Sequence, residues 1–293
     1  MNITLEAPAK INLYLDIVSK KENGYHNIKG VMQKISLCDK VSVALTRSHK
    51  NEITVKCSEP SVPEGRDNIA YKAAELYLES FTLDTYKVNI CIEKHIPAAG
   101  GLAGGSTDAA AVLSAMHTLL GEDKGKEKLL QKSAELGADV PFCLADGAMI
   151  TEGIGETLTP CPALADCTVV LCNTGEIVST PAAYRQLDII YNDFKNARFD
   201  SARFSNLLDG LSEKSIAKIS GAMFNIFEQT VLAQQPKAAN AKSVLLSCGA
   251  DGAMMSGSGP SVFGLFSDER KAHEAHRILC ELGYTCHNCK PIG

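Results

Sequence analysis

The sequence of 293 residues contains no run of about 20 apolar residues, so nothing in it predicts a membrane-spanning helix. Its first residues, MNITLEAPAK, lack the basic and then apolar layout of a signal peptide, which predicts a cytoplasmic protein. No stretch concentrates lysine and arginine, and the net charge of −5 disfavours a nucleic-acid partner. The apolar share of 45% and the charged share of 22% are those of a soluble globular protein with one large domain or two.

The eleven cysteines lack the even count and regular spacing of a secreted disulfide framework. Most lie in apolar stretches such as VVLCN, where a reduced thiol behaves as a small apolar side chain. Cys286 and Cys289 have C-x-x-C spacing, but a zinc site usually needs a second such pair, and only His287 lies nearby. We therefore interpret them as ordinary strand or turn residues rather than as a metal or redox site.

Strands and helices are mixed along the chain without a steady βαβ rhythm, which favours an α+β architecture over a doubly wound sheet. Alternating or short apolar patterns predict strands at 2–18 (broken at Pro8), 41–45, 52–57, 86–94, 147–155, 168–173 and 261–266. Helical spacing predicts helices at 68–81, 106–120, 126–136 and 268–282, with mostly helical segments between 174 and 248. Glycine and proline cluster near 150–160, which predicts a domain boundary there.

The stretch PAAGGLAGGSTDAA, residues 97–110, follows a predicted strand and leads into a predicted helix. Four glycines allow its backbone N–H groups to turn toward one point: Gly100, Gly101, Gly104 and Gly105. Three polar residues can supply helix caps: Ser106, Thr107 and Asp108. Because a helix start also adds free N–H groups and a positive dipole end, the stretch predicts an anion cradle, most naturally for nucleotide phosphates. The alternative is a tight glycine turn before a capped helix.

This loop lacks the terminal Gly-Lys-Ser/Thr of the P-loop. It also lies too far along the chain, in the wrong rhythm, for the first turn of a Rossmann fold. It resembles the phosphate loop of the GHMP kinases, the family of galactokinase, homoserine kinase and mevalonate kinase. That motif runs from a proline, here Pro97, to Gly-Leu, here Gly101 and Leu102, and then opens an alanine-rich helix. Ala103 stands where many relatives have glycine, which is a small change.

Further stretches resemble the same family, in order, over almost the whole chain: PAKINLYLDI (8–17), GYHNI (24–28), LGADVPFCL (136–144) and GSGPSVFGLF (257–266). Together they are most similar to the member that phosphorylates a small cytidine diphosphate-linked sugar alcohol. The resemblance implies a two-domain α+β fold with the active site in the cleft between the domains. The amino-terminal, ATP-binding domain would span 1–155 and the carboxy-terminal domain 156–293.

The resemblance implies that ATP is the phosphoryl donor and that Mg²⁺ accompanies it. The implied ATP-binding residues are Asn68, Pro97, Ala98, Ala99, Gly100, Gly101, Leu102, Ala103, Gly104, Gly105, Ser106 and Thr107. Asn68 matches a position that contacts adenine, although an asparagine at a helix start is otherwise read as an N-cap. Ser106 would bind the Mg²⁺ ion through its hydroxyl group. The position of the hydroxyl residues within the loop is shifted here from that in relatives.

Two residues carry the predicted chemistry, Asp139 and Lys10. Asp139 lies between Gly137 and Pro141, at a local break where a carboxylate can project and act as a general base. The alternative is a turn or helix-end aspartate. Lys10 lies in an apolar strand, where a buried ammonium needs a partner. The resemblance implies that the two are the catalytic pair, with the lysine polarising the acceptor hydroxyl.

Substrate recognition is predicted at an aromatic pair, Tyr25 and His26, whose rings suit a flat base through stacking and edge hydrogen bonds. The resemblance implies that this pair holds the cytosine and that Tyr184 closes over it. Tyr184 is otherwise a core residue of an amphipathic helix. Asn12 and Thr180 match polar residues that line the substrate pocket.

The sequence therefore predicts an ATP-dependent kinase with a small-molecule substrate. The nearest alternative is a GHMP kinase for homoserine or mevalonate, which Tyr25 and His26 disfavour because neither substrate has a base to stack. A catalytically silent ligand-binding member is a third hypothesis, and the presence of both Lys10 and Asp139 argues against it.

Overall fold

The structure is a computed structural model that describes residues 1–121, 125–164, 166–194 and 199–293. It contains two compact units, each assembled from separate parts of the chain. The first unit comprises Met1–Ala9, Leu37–Ala98 and Ala103–Asp146, and the second comprises Lys10–Ser36, Ala99–Leu102 and Gly147–Gly293. Two long strands, β1 (Asn2–Lys20) and β2 (His26–Arg47), contribute residues to both units. The domain division expected at residue 155 stays a prediction.

The first unit packs helices against short strands. Its further elements are β3 (Glu52–Cys57), a 3₁₀ turn (Gly65–Asp67), α1 (Ile69–Phe81), β4 (Tyr86–Glu93), α2 (Gly104–Leu120), α3 (Lys126–Ser133) and α4 (Val140–Leu144). β4 lies between β3, which it pairs in parallel, and residues 40–47 of β2, which it pairs antiparallel. Its side chains alternate between buried and exposed, as expected for a sheet with one face covered. α1 and α2 pack against each other through alanine-rich faces.

The second unit contains most of the remaining strands and helices. The strands are β5 (Ala148–Glu152), β6 (Thr157–Cys161), β7 (Thr168–Asn173), β8 (Phe224–Asn225), β9 (Gly252–Met255), β10 (Val262–Phe266), β11 (Thr285–Cys289) and β12 (Pro291–Ile292). The helices are α5 (Thr180–Ile190), α6 (Ser201–Ser212), α7 (Ile216–Ala222), α8 (Glu228–Gln234), α9 (Pro236–Ser247) and α10 (Glu269–Glu281), with a 3₁₀ turn at Asn192–Phe194. Four strands form an antiparallel sheet in the order β11-β7-β10-β9, whose buried residues share a core with α9 and α10.

The α+β class is confirmed, and three local predictions were wrong. β1 continues through Pro8 without a break. A strand tolerates proline where no neighbouring strand needs its missing N–H. The pairing of β1 with β8 involves only Tyr14 and Leu15, well beyond Pro8. β2 begins at His26, well before the predicted 41–45. α2 begins at Gly104 rather than at residue 106. In the described ranges, no helix is long and apolar enough to cross a membrane.

Candidate active site

Two predicted site residues, Lys10 and Asn12, lie side by side in the buried part of β1. They are 4% and 1% exposed, and Lys10 Nζ donates a hydrogen bond to Asn12 Oδ1 at 2.6 Å. The other amide atom, Asn12 Nδ2, is buried without a hydrogen-bond partner among the described residues. Leaving a buried donor unsatisfied costs about 1–3 kcal/mol, so such a group points to an acceptor that a ligand supplies. Lys10 thus orients an amide whose N–H groups are available to a ligand.

The glycine loop reaches this pair through backbone contacts. Lys10 N donates to Leu102 O at 3.1 Å. Gly101 has a φ of +75°, and a Cβ on it would lie 2.2 Å from Ser256 O, which excludes any other residue there. Ser256 Oγ donates to Gly101 O at 3.0 Å, and a Cβ on Gly257 would lie only 3.0 Å from the same oxygen. The glycine loop and residues 256–257, where the GSGPS stretch begins, therefore hold each other beside Lys10.

Polar side chains fix the turn that follows β9. Asn225 Nδ2 donates to Met255 O at 2.7 Å and to Gly257 O at 2.8 Å. Thr180, a predicted substrate residue, shares a hydrogen bond of 2.7 Å with the hydroxyl of Ser258. Asn225 was not predicted as a site residue, because its only signal in the sequence is a polar side chain among the apolar neighbours Phe224, Ile226 and Phe227.

In the first unit, the second half of the glycine loop forms the start of α2. Ala103 precedes the helix in the left-handed conformation, with a φ of 59°, and no side chain caps the helix. The predicted capping role of Ser106, Thr107 and Asp108 is therefore wrong, because all three lie inside the helix. An uncapped first turn leaves N–H groups without helical acceptors and adds the positive end of the dipole. This end of α2 is suited to bind an anion.

We expect Gly105→Ala to stabilise the protein and yet weaken ATP binding. Gly105 is exposed, and an added Cβ would meet only Ile69, at 3.4 Å. Alanine in a helix is favoured over glycine by about 1 kcal/mol, which should raise the melting temperature by a few degrees. The same methyl group would stand beside the free N–H groups, so the KM for ATP should rise about tenfold, equivalent to about 1.4 kcal/mol.

The matched control is Gly221→Ala, at an exposed position of α7 with no atom within 4 Å of the added Cβ. It should raise stability in the same way and leave the KM for ATP unchanged. If Gly105→Ala also leaves that KM unchanged, the phosphates lie elsewhere.

A buried charge cluster lies at the start of α2. Lys94 Nζ donates to Asp108 Oδ2 at 2.7 Å and also to Asp39, whose other oxygen accepts from the backbone N–H groups of His95 and Ile96. Asp108 Oδ1 is buried and has no partner within the described part of the chain. The pKa of Asp108 is raised to about 7, mainly by burial. Lys94 opposes this rise, and the carboxylate of Asp39 adds to it. The cluster ties the strand end before the glycine loop to the helix after it.

The pKa of Asp108 predicts a loss of stability as the pH rises. In the unfolded chain this carboxyl ionises near its ordinary pKa of 3.8, whereas in the folded protein it keeps its proton up to about pH 7. The contribution of Asp108 to the free energy of unfolding is therefore complete below about pH 4 and is lost as the pH rises through 7. Asp108→Asn, which stays neutral, should flatten the dependence of the unfolding free energy on pH across this window in urea titrations. Parallel pH profiles for the variant and the parent would show that Asp108 does not titrate there.

Two further predicted residues of the first unit lie at helix starts. Asn68 caps α1: its Oδ1 accepts from Ala70 N and its Nδ2 donates to Pro63 O, both at 2.8 Å. The adenine contact expected of Asn68 stays a prediction. Asp139 precedes α4, but its carboxylate does not cap that helix. Its role as a base also stays a prediction.

The predicted base-binding residues of the second unit are only partly brought together. The rings of His26 and Tyr184 are stacked, with centroids 4.7 Å apart and planes at 19°. Phe194 contacts His26 edge-on, and Phe227 contacts Tyr184 in the same way. Tyr25 lies outside this cluster and is 59% exposed. His26 and Tyr184 therefore form one packed aromatic surface. The exposed ring of Tyr25 directly precedes His26 in the sequence.

Among the described residues, no group of three or more His, Cys, Asp or Glu side chains could hold a metal ion. Neither Cys286 nor Cys289 forms a disulfide bond. They are three residues apart in β11, so their side chains point to opposite faces of the strand.

Residues 68–147 match the profile of the GHMP kinases N terminal domain, and residues 206–285 match that of the GHMP kinases C terminal. A 4-diphosphocytidyl-2-C-methyl-D-erythritol kinase from Acetivibrio thermocellus is 40% identical over 285 residues, which cover 97% of each chain. The crystal structure of a 4-(cytidine 5'-diphospho)-2C-methyl-D-erythritol kinase has a TM-score of 0.79 at 30% identity, covering 99% of this chain and 100% of that one. Homoserine kinase from Cytophaga hutchinsonii, at 20% identity and a TM-score of 0.77 over 99% of this chain and 95% of that one, is similar in fold alone.

The chain belongs to the GHMP kinase family. This confirms the family, the kinase class and the α+β fold that the motifs predicted, and ATP is the phosphoryl donor of such kinases.

Proposed function

We propose that this chain transfers the γ-phosphoryl group of ATP to the 2-hydroxyl of 4-diphosphocytidyl-2-C-methyl-D-erythritol, giving the 2-phosphate and ADP. The reaction belongs to the non-mevalonate isoprenoid pathway and takes place in the cytoplasm. The observation that carries the proposal is the Lys10–Asn12 pair, held against the glycine loop with Asn12 Nδ2 unsatisfied. Similarity to kinases named for this substrate, over 97% of the chain for one of them, supports the choice of substrate.

Phosphoryl transfer depends mostly on positioning and on stabilising charge, and Lys10 and Asp139 supply these. Asp139 accepts the proton of the 2-hydroxyl as the oxygen attacks the γ-phosphorus. Lys10 polarises that hydroxyl and stabilises its developing negative charge. Asn12, oriented by Lys10, and Thr180, tied to Ser258, bind polar groups of the substrate.

ATP is bound by residues 97–107 and by Asn68, with the phosphates at the uncapped start of α2 and the adenine near Asn68. Mg²⁺ usually takes one or two protein ligands and completes its shell with phosphate oxygens and waters, so it does not need an acidic cage. The hydroxyl of Ser106, in the first turn of α2, fits such a ligand. Bound there, the ion would neutralise charge on the phosphates.

The base of the substrate is recognised by aromatic residues. Tyr25 is exposed and offers a ring face, while the His26–Tyr184 stack offers a second aromatic surface and a ring edge. Cytosine stacks on these rings, and its polar edge bonds to His26.

A side-by-side assay tests the proposal, with ATP and three acceptors: the cytidyl substrate, homoserine and mevalonate. We expect transfer to the cytidyl substrate alone. Preference for homoserine or mevalonate would overturn the proposed substrate. Absence of transfer to all three would favour a silent ligand-binding member.

A further inference from the structure

His26 is held by a carboxylate as well as by the Tyr184 ring. Its Nε2 lies 2.7 Å from Asp188 Oδ1, and its side chain is 6% exposed. Asp188 follows Tyr184 by four residues in α5, so both lie on one face of that helix. Tyr184 contacts the face of the imidazole and Asp188 contacts its edge. The helix therefore fixes both the plane and the rotation of the ring.

The carboxylate of Asp188 is kept ionised by its surroundings. Lys20 Nζ donates to Asp188 Oδ2 at 2.8 Å and to Asp193 Oδ1 at 2.6 Å. Burial raises the pKa of Asp188, but the hydrogen bonds from Lys20 and His26 outweigh it and leave the pKa below its ordinary value. An ionised carboxylate can only accept hydrogen bonds. His26 Nε2 must therefore carry a proton and donate a hydrogen bond to Asp188 Oδ1.

A proton fixed on Nε2 decides what the other ring nitrogen offers. In the neutral imidazole, Nδ1 is then an acceptor. No described residue bonds to His26 Nδ1, whereas Nε2 is engaged by Asp188. Cytosine carries an amino donor at C4, and uracil carries a carbonyl acceptor at the same place. The acceptor His26 Nδ1 can accept a hydrogen bond from the amino group of cytosine. It repels the carbonyl oxygen that uracil carries at the same place.

We propose that Asp188 is a positioning residue that makes the site select cytosine over uracil, by holding His26 with its proton on Nε2 and Nδ1 open as an acceptor. This inference rests on the proposed function, because it concerns the base of the same substrate. It assigns a role to a residue that does not itself touch the substrate.

Asp188→Ala tests the inference with two substrates that differ only in the base, the cytidyl compound and its uridyl analogue. Without the carboxylate, His26 can carry its proton on either nitrogen. The KM for the cytidyl substrate should rise about tenfold, and the preference for it over the uridyl analogue in kcat/KM should fall by at least about tenfold. The kcat and the KM for ATP should stay within about twofold of the parent.

Asp193→Ala is the matched control, since Asp193 binds the same lysine but is not a partner of His26. It should leave the preference between the bases unchanged. A second readout does not depend on activity: ¹⁵N NMR of the His26 ring at pH 8 should show the proton on Nε2 in the parent and in Asp193→Ala. In Asp188→Ala it should show a mixture of the two tautomers.

The inference is overturned if Asp188→Ala keeps the parent's base preference, if Asp193→Ala loses it equally, or if the parent carries the proton on Nδ1. A parent that phosphorylates neither compound would contradict the proposed function. The base preference would then be measured as binding of CMP against UMP by titration, with the same expectation for each variant.

Discussion

Replacing Asp139 by asparagine is expected to lower kcat by roughly 10²–10⁴-fold, the usual loss when general acid–base catalysis is removed. Asparagine has nearly the same shape but cannot accept the proton of the substrate hydroxyl. The KM values for ATP and for the cytidyl substrate should change by less than about threefold, because the lost interaction belongs to the transition state. Steady-state kinetics of the purified variant measure both quantities.

The structure makes this substitution easy to interpret, because Asp139 does not cap α4 and the variant does not remove a capping bond. Asp146→Asn is the control: it removes the same charge from the first unit, just after α4, and should leave kcat unchanged. A kcat for Asp139→Asn within a few-fold of the parent would show that Asp139 is not the base.

Truncating the aromatic residues of the base site is expected to have the second largest effect. Stacking of a base on an aromatic ring contributes about 1–3 kcal/mol, so Tyr25→Ala and Tyr184→Ala should each raise the KM for the cytidyl substrate roughly ten- to a hundred-fold. The KM for ATP should hardly move. Tyr→Phe at either position keeps the ring and should change the KM for the cytidyl substrate very little, which makes it the matched control.

The two tyrosines should differ in their effect on stability. Tyr25 is 59% exposed, so its truncation should leave the melting temperature unchanged. Tyr184 packs against His26, Phe227 and the core of the second unit, so its truncation should lower the melting temperature as well. If both truncations weakened ATP and the cytidyl substrate equally, the rings would be structural and the proposed substrate would lose its support.

The glycine loop shows what can be predicted from sequence. Glycine is favoured where the backbone takes a positive φ, and it is required where a Cβ would collide with another chain segment; Gly101 meets both conditions. The pattern of glycines therefore predicted the tight backbone turn, whereas phosphate binding by this loop stays a prediction. It did not predict the start of α2, because Ala103 takes the left-handed conformation that precedes the helix. Local capping preferences of Ser106 and Asp108 were overridden by this geometry.

The partners of the site residues could not be predicted, because they are distant in sequence. Asp188 is 162 residues from His26, and Ser256 is 155 residues from Gly101. No local periodicity encodes such pairs. The helical spacing of Tyr184 and Asp188 would have placed both on one face, but not against His26. Lys94 and Asp108 are closer in sequence, but no local pattern predicted the hydrogen bond between their side chains.

Identification of the reaction product is the sharpest test of the proposed phosphoryl transfer. The protein is incubated with ATP, Mg²⁺ and 4-diphosphocytidyl-2-C-methyl-D-erythritol, and the products are analysed by mass spectrometry and ³¹P NMR. We expect one ADP for each molecule of a new phosphate monoester, with the phosphate on the oxygen at carbon 2. Phosphorylation of another hydroxyl, or release of ADP with inorganic phosphate and no phosphorylated product, would contradict this expectation.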